Sequence, residues 1–334
     1  MQFVPYEELD GVPNVIVDGA GCPSTVLTLS HWPGSRTAAE LRADLSAEIV
    51  VRYLEHPELH VDVGAVSNNH FDEDGLMGVF ALVDPVTALA HKELLIDTAR
   101  AGDFGWSHTR DAARISFAIS ALVDPDVSPL DPALFDGDYS LVAARLYREL
   151  LPRVPELLDD IDRFDALWAA EDAHLSASDA AIADGRVTIT EQPELDLAIV
   201  QVHEPLDERA MHRFTQRRSA GLHPMSVHNR TGMTRVASLA RRHYEVHLRY
   251  ETWVQLASRT PRPRIDLANL GTRLDELERS PGAWHFDGAG VITPALARPD
   301  GSESSLEPEQ FLGELCTFLE SAPPAWDPWS PRPA

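Results

Sequence analysis

The stretch Ser67-Asn-Asn-His70-Phe71-Asp72-Glu73-Asp74-Gly75 places one imidazole and two carboxylates at a spacing of two residues. In extended backbone alternate side chains share one side, so His70, Asp72 and Asp74 can converge on a single cation. An imidazole combined with carboxylate oxygens suits Mn²⁺, Mg²⁺ or Zn²⁺. Gly75 lets the backbone approach closely, and the helix that starts there offers open N–H groups that favour an anion. The competing reading is an acidic helix start beside a histidine, with no metal. An EF-hand calcium loop is excluded: counted from His70, the twelfth position is Ala81, where that loop needs a bidentate Glu.

The surrounding pattern is that of an α/β protein. Val15–Gly19 and Val26–His31 read as buried parallel strands, and Val61–Val66 as a third. Thr37 and Glu40 have capping-box spacing, which predicts a helix from there to about Glu55. Leu76, Val79, Phe80 and Val83 predict a helix after the motif, Pro85 opens another that runs to Arg100, and a further one spans Asp111–Val123. Alternation of strands and helices gives an N-terminal domain with a mainly parallel sheet flanked by helices, residues 1–137. A helical connector, 138–184, leads to a smaller α+β domain, 185–321, with strands at Val187–Thr190, Leu197–Val202 and His243–Val254. Helices near Leu267–Arg279 and Glu307–Leu319 close this domain, and the Pro-rich tail, 322–334, reads as poorly ordered.

Composition narrows the chemistry. The 334 residues carry a net charge of −25, which argues against a large nucleic acid duplex as partner. No apolar run is long enough to span a membrane, and the first residues lack the layout of a secretion signal, so a cytoplasmic location is expected. Only Cys22 and Cys316 are present, so any metal must be held by His and carboxylates. Lys92 is the one lysine, and there is no Gly-x-Ser-x-Gly elbow, phosphate loop or dinucleotide fingerprint. From Arg209 to Arg249, nine arginines face a single acid, Glu245. Within this stretch His228, Arg230 and Arg235 surround Gly232 as a loop gripping phosphate would; alternatively the arginines neutralise acids elsewhere in the protein. His243, Glu245 and His247 alternate with Tyr244, Val246 and Leu248, which predicts a half-buried antiparallel strand whose polar face is solvated or holds a separate zinc ion.

The segment Asn69-His-Phe-Asp-Glu-Asp-Gly75 resembles the His-x-Asp-x-Asp-Gly motif of the DHH phosphoesterase superfamily, whose members hydrolyse phosphate esters and anhydrides with a manganese pair. The whole chain is similar to an uncharacterised bacterial and plant family in which this segment is followed by Ala-x-x-Gly-Asp-Phe, here Ala99-Arg-Ala-Gly-Asp103-Phe104. Carried over, the superfamily resemblance makes His70, Asp72 and Asp74 metal ligands. It breaks down at the Asp-His-His triplet, which this sequence lacks. Asp18 and His31 could supply the missing ligands if the motif order is permuted, with a turn or strand-end role as the alternative. Asp103 could close the site from a loop.

These readings together lead to a metal-dependent hydrolase of a small phosphate-containing substrate, with metal-activated water as nucleophile. Asp72, Asp74 and Asp103 would be its catalytic residues and Mn²⁺ its expected cofactor. The alternatives are a non-catalytic metal- or ligand-binding protein on the same scaffold and a mononuclear zinc hydrolase.

Overall fold

Val15, Ile16 and Val17 are completely buried, as a central parallel strand requires. In the computed structural model, which describes residues 1–204, 206, 221–299 and 301–330, they lie in a four-stranded parallel sheet. Its strands are β1 (Gln2–Phe3), β2 (Asn14–Val17), β3 (Thr25–Leu29) and β4 (Ala65–Ser67), in the order β1-β4-β2-β3. Helix α1 (Ser46–Glu55) carries the chain from β3 to β4. β2 and β3 are joined by residues 18–24 without a helix, so within this sheet the strand-helix-strand succession holds only across α1.

Helices α2 (Glu73–Val83), α3 (Pro85–Ala90), α4 (Lys92–Asp103) and α5 (Arg110–Val123) follow. Next come α6 (Tyr139–Leu150), α7 (Val154–Asp159) and α8 (Asp165–Ala183). α2 is buried along most of its length, which its run of Leu76, Met77, Val79, Phe80 and Leu82 explains.

Three local expectations are corrected. The helix predicted from Thr37 begins at Ser46, because the Thr37 hydroxyl is committed to the end of β3, accepting from the Ser30 N–H (3.1 Å) and donating to the Ser30 carbonyl (2.8 Å). The helix predicted from Pro85 to Arg100 breaks at His91 into α3 and α4, and α4 continues past Arg100 to Asp103. The strand predicted from Val61 starts only at Ala65.

The described residues divide into two compact units, the first comprising Met1–Ala173 with Gln255–Arg259. The second holds β5 (Val187–Gln192), β6 (Leu197–Val202), α9 (Pro224–His228), β7 (Arg235–Ala240) and β8 (His243–Leu248). It continues with β9 (Arg264–Ile265), α10 (Ala268–Leu277), β10 (His285–Phe286), β11 (Ala295–Ala297), α11 (Pro308–Ser321) and β12 (Pro324–Trp326). Six strands form a mixed sheet, β10-β11-β8-β7-β6-β5, antiparallel except at β6 and β7. Its core gathers Leu197, Val246, Leu270, Leu296 and Phe311. β7 was not expected: its sequence, Arg-Val-Ala-Ser-Leu-Ala, opens with a charge that had been given to an anion-binding loop. β8 is the half-buried strand anticipated, with Tyr244, Val246 and Leu248 inward, but it ends at Leu248 and not at Val254, because Tyr250–Thr252 form a 3₁₀ turn. Residues 322–330 of the Pro-rich tail are structured, since β12 pairs with β9 and Trp326 stacks on Trp253 at 6.1 Å, whereas residues 331–334 lie outside the described residues. The fold is therefore mixed α/β: a parallel sheet with helices toward the N-terminus and a mixed sheet after it. No helix among the described residues is long and apolar enough to cross a membrane.

Candidate metal centre

Parallel strands bring the residues that follow them to one edge of the sheet, and ligands in such sheets sit outside that carboxyl edge. Here Asp18 directly follows β2, His31 lies two residues beyond β3, and His70 lies three beyond β4. α2 begins at the same edge and contributes Asp72 and Asp74, and α4 ends with Asp103. All six residues expected to ligate metal therefore meet within the first unit.

Asp18 is the hub. It is wholly buried and has left-handed backbone, φ 49°, a conformation that Asp tolerates better than most residues. Its Oδ1 lies 3.3 Å from His31 Nε2 and its Oδ2 lies 3.2 Å from His70 Nε2. The Ser46 hydroxyl donates to Oδ1 at 2.7 Å. One carboxylate is thus shared between two histidines, and two triads that could hold a metal ion overlap on it: Asp18, His31, Asp74 and Asp18, His70, Asp72. These are the only such groups of His, Cys, Asp or Glu among the described residues.

The His31 ring is fixed from behind. Its Nδ1 lies 2.6 Å from the Asp44 backbone carbonyl. A carbonyl can only accept, so the proton sits on Nδ1, and Nε2 is directed at Asp18, at Asp74 Oδ2 (3.7 Å) and at Asp103 Oδ2 (3.5 Å). Asp74 is held rigidly: its oxygens accept the N–H groups of Ser46 and Ala47 at 2.7 Å each, so that it caps α1 from the neighbouring helix. Asp72 caps its own helix through the Gly75 N–H, 2.8 Å, and sets its other oxygen 2.8 Å from His70 Nε2. Asp103 Oδ2 is buried and accepts no hydrogen bond from any described residue. That orphan oxygen, in a nest of four carboxylates, is what a cation would satisfy.

Without a cation the cluster is electrostatically frustrated. Burial, then the charge of Asp18, pushes the Asp74 carboxyl up to about 7. Burial, then Asp74 and Asp72, pushes Asp103 well above the usual carboxylate range. Burial would depress His31, but Asp18 and Asp74 outweigh it and raise the ring to about 9. His70 is likewise raised against burial by Asp72 and Asp18. Asp18 is held below its ordinary value, since His31 and His70 outweigh the cost of burial. A divalent cation would neutralise these charges.

Several supporting residues were not anticipated. Asn68 donates to the Tyr147 hydroxyl (3.0 Å) and accepts from the His70 N–H (3.1 Å), which fixes the start of the motif. Asn69 accepts from the Ala20 N–H (3.1 Å). Glu73 receives the hydroxyls of Ser116 and Ser120, and a side chain at Gly102 would meet Glu73 at 2.5 Å, so glycine lets α4 deliver Asp103. The paired asparagines before His70 were the one local signal; Ser46, Asp44 and Tyr147 carry none, because only the fold brings them near.

The residues expected to grip phosphate are engaged otherwise, within the second unit. Arg235 is buried on β7, not in a loop, and donates to the Leu195 carbonyl at 2.7 Å. Arg230 pairs with Asp179 at 2.7 Å and donates to the Ser226 carbonyl. His228 ends α9 with its ring 5.8 Å from that of His247. Arg209, Arg213, Arg217 and Arg218 of the basic stretch lie outside the described residues. His247 Nδ1 lies 3.5 Å from Glu245, and no third ligand of the kind a zinc ion needs stands with them among the described residues.

No curated protein and no solved structure matches the chain, so the likeness to the DHH phosphoesterases rests on the motif residues alone. The chain itself, over residues 1–330, belongs to the Family of unknown function (DUF6687).

Proposed function

We propose that this protein is a divalent-metal-dependent hydrolase of a small phosphate-containing substrate, with its centre at the carboxyl edge of the parallel sheet. The observation that carries the reading is Asp18, whose two oxygens face two different histidines, each joined by a further carboxylate. Bound there, a cation pair would activate water and hold negative charge on phosphate oxygens. Imidazole and carboxylate donors favour Mn²⁺, with Mg²⁺ or Zn²⁺ as alternatives.

The chain's own residues supply rigidity and access. The Asp44 carbonyl orients His31, the N-terminus of α1 immobilises Asp74, and Asn68 with Tyr147 anchors the turn that carries His70. His70 and Asp72 keep 17 % and 18 % of their side-chain surface exposed, whereas Asp18, His31 and Asp74 keep none, so substrate enters from the His70 side.

Asp103→Asn is the direct test, because Asp74→Asn would also uncap α1. With Mn²⁺ and bis(4-nitrophenyl) phosphate, the variant is expected to lose on the order of 100-fold in turnover or more, the usual cost of removing one charge-stabilising group, with unchanged circular dichroism. Equal turnover by variant and parent would reject the proposal.

A further inference from the structure

We infer that the two cation positions are unequal: an inner one, at His31, holds a resident ion, and an outer one, at His70, binds an exchangeable ion that sets the protein's response to ambient divalent metal. The inference rests on the metal reading above and adds an order of affinity to it.

Three observations separate the positions. First, ligand count: His31 Nε2 faces Asp18, Asp74 and Asp103 at 3.3–3.7 Å, whereas among the described residues the only carboxylates that His70 Nε2 faces are Asp72 and the other oxygen of Asp18. One more carboxylate means one more negative charge on the inner ion, at close range. Second, burial: the inner ligands expose at most 3 % of their side chains, and the outer pair opens to solvent. Water competes for an exposed ion and screens its attraction to ligands, so the outer ion dissociates faster. Third, ring preparation: His31 Nδ1 donates to the Asp44 carbonyl, which leaves Nε2 as the coordinating atom. His70 Nδ1 is buried and has no hydrogen-bond partner among the described residues. Coordination through its Nε2 would require the proton at that unsatisfied position, which weakens the outer site.

The asymmetry has a functional consequence. The inner ion would be retained through purification, and the outer one would load only when free metal is supplied. Because the outer position is the open one, the ion that meets substrate is the one that comes and goes.

Metal analysis of the full chain tests this without an activity assay. Protein loaded with Mn²⁺ and then desalted into metal-free buffer is expected to keep one Mn²⁺ per chain, with a second returning when free Mn²⁺ is added. The second ion should convert the isolated-Mn²⁺ electron paramagnetic resonance signal into that of an exchange-coupled pair, since the two oxygens of Asp18 face the two positions and would link the ions. His70→Ala and Asp72→Asn should abolish the second ion and the coupling yet keep the desalting-resistant one. Two ions of equal retention, a resistant ion lost in both variants, or no coupling at full loading would overturn the inequality while leaving a metal protein. No Mn²⁺ bound by the parent under any condition would overturn both this inference and the proposed function.

Discussion

Asp74 and His31, with Asp103 and His70 raised in the same direction, tie the stability of the metal-free protein to pH. An acid whose folded pKa is raised stabilises the fold fully below its unfolded value and loses that contribution as pH rises through the folded one. Asp74, raised to about 7 by burial and by Asp18, behaves in this way. His31, raised to about 9 by the same carboxylates against burial, has the same sign: its contribution is complete below about 6.5, the ordinary histidine value, and is lost through about 9. The depressed Asp18 acts only in the acid range. Urea unfolding in chelator should therefore show stability falling from pH 6 to pH 9, and saturating Mn²⁺ should flatten that fall. A flat profile in chelator would mean that the charges of the cluster are already balanced without metal.

Among the elements, the α2 start is tightly specified. A Cβ at Gly75 would lie 2.3 Å from Asn68 Nδ2 and 2.6 Å from the Tyr147 hydroxyl, both packed interior groups. Gly75→Ala should destabilise the protein by about 1–3 kcal/mol, the range for overpacking, and weaken Mn²⁺ binding through the displaced His70 turn; wild-type unfolding and metal affinity would show that the turn yields freely. The value of Gly75 was legible in the motif, and so were β2, β3, α2 and α5, because their apolar runs have clear periods and turn residues bound them. Where the prediction slipped, a long-range contact had replaced a local one. Thr37 has the spacing of a helix cap but serves β3, while α1 is capped by Asp74 from 28 positions away. Arg235 looked like an anion donor, and its burial beside Leu195 could be seen only once β7 had paired with β6.

For the molecule as a whole, two cysteines leave His and carboxylates as the only metal donors to expect, and the sheet explains how candidate ligands 85 positions apart, Asp18 to Asp103, come to one place. Strand order was not legible, since it depends on which strand α1 crosses, and with it went any firm expectation that Asp18 would serve two histidines. That shared carboxylate is the central claim, and anomalous diffraction at the manganese edge from crystals soaked in Mn²⁺ tests it most directly. The account predicts two peaks roughly 3.5–4 Å apart, the spacing of paired catalytic metals, one beside His31 and one beside His70, with Asp18 between them. Absence of a peak at Asp18, or peaks only at other carboxylates, would contradict it.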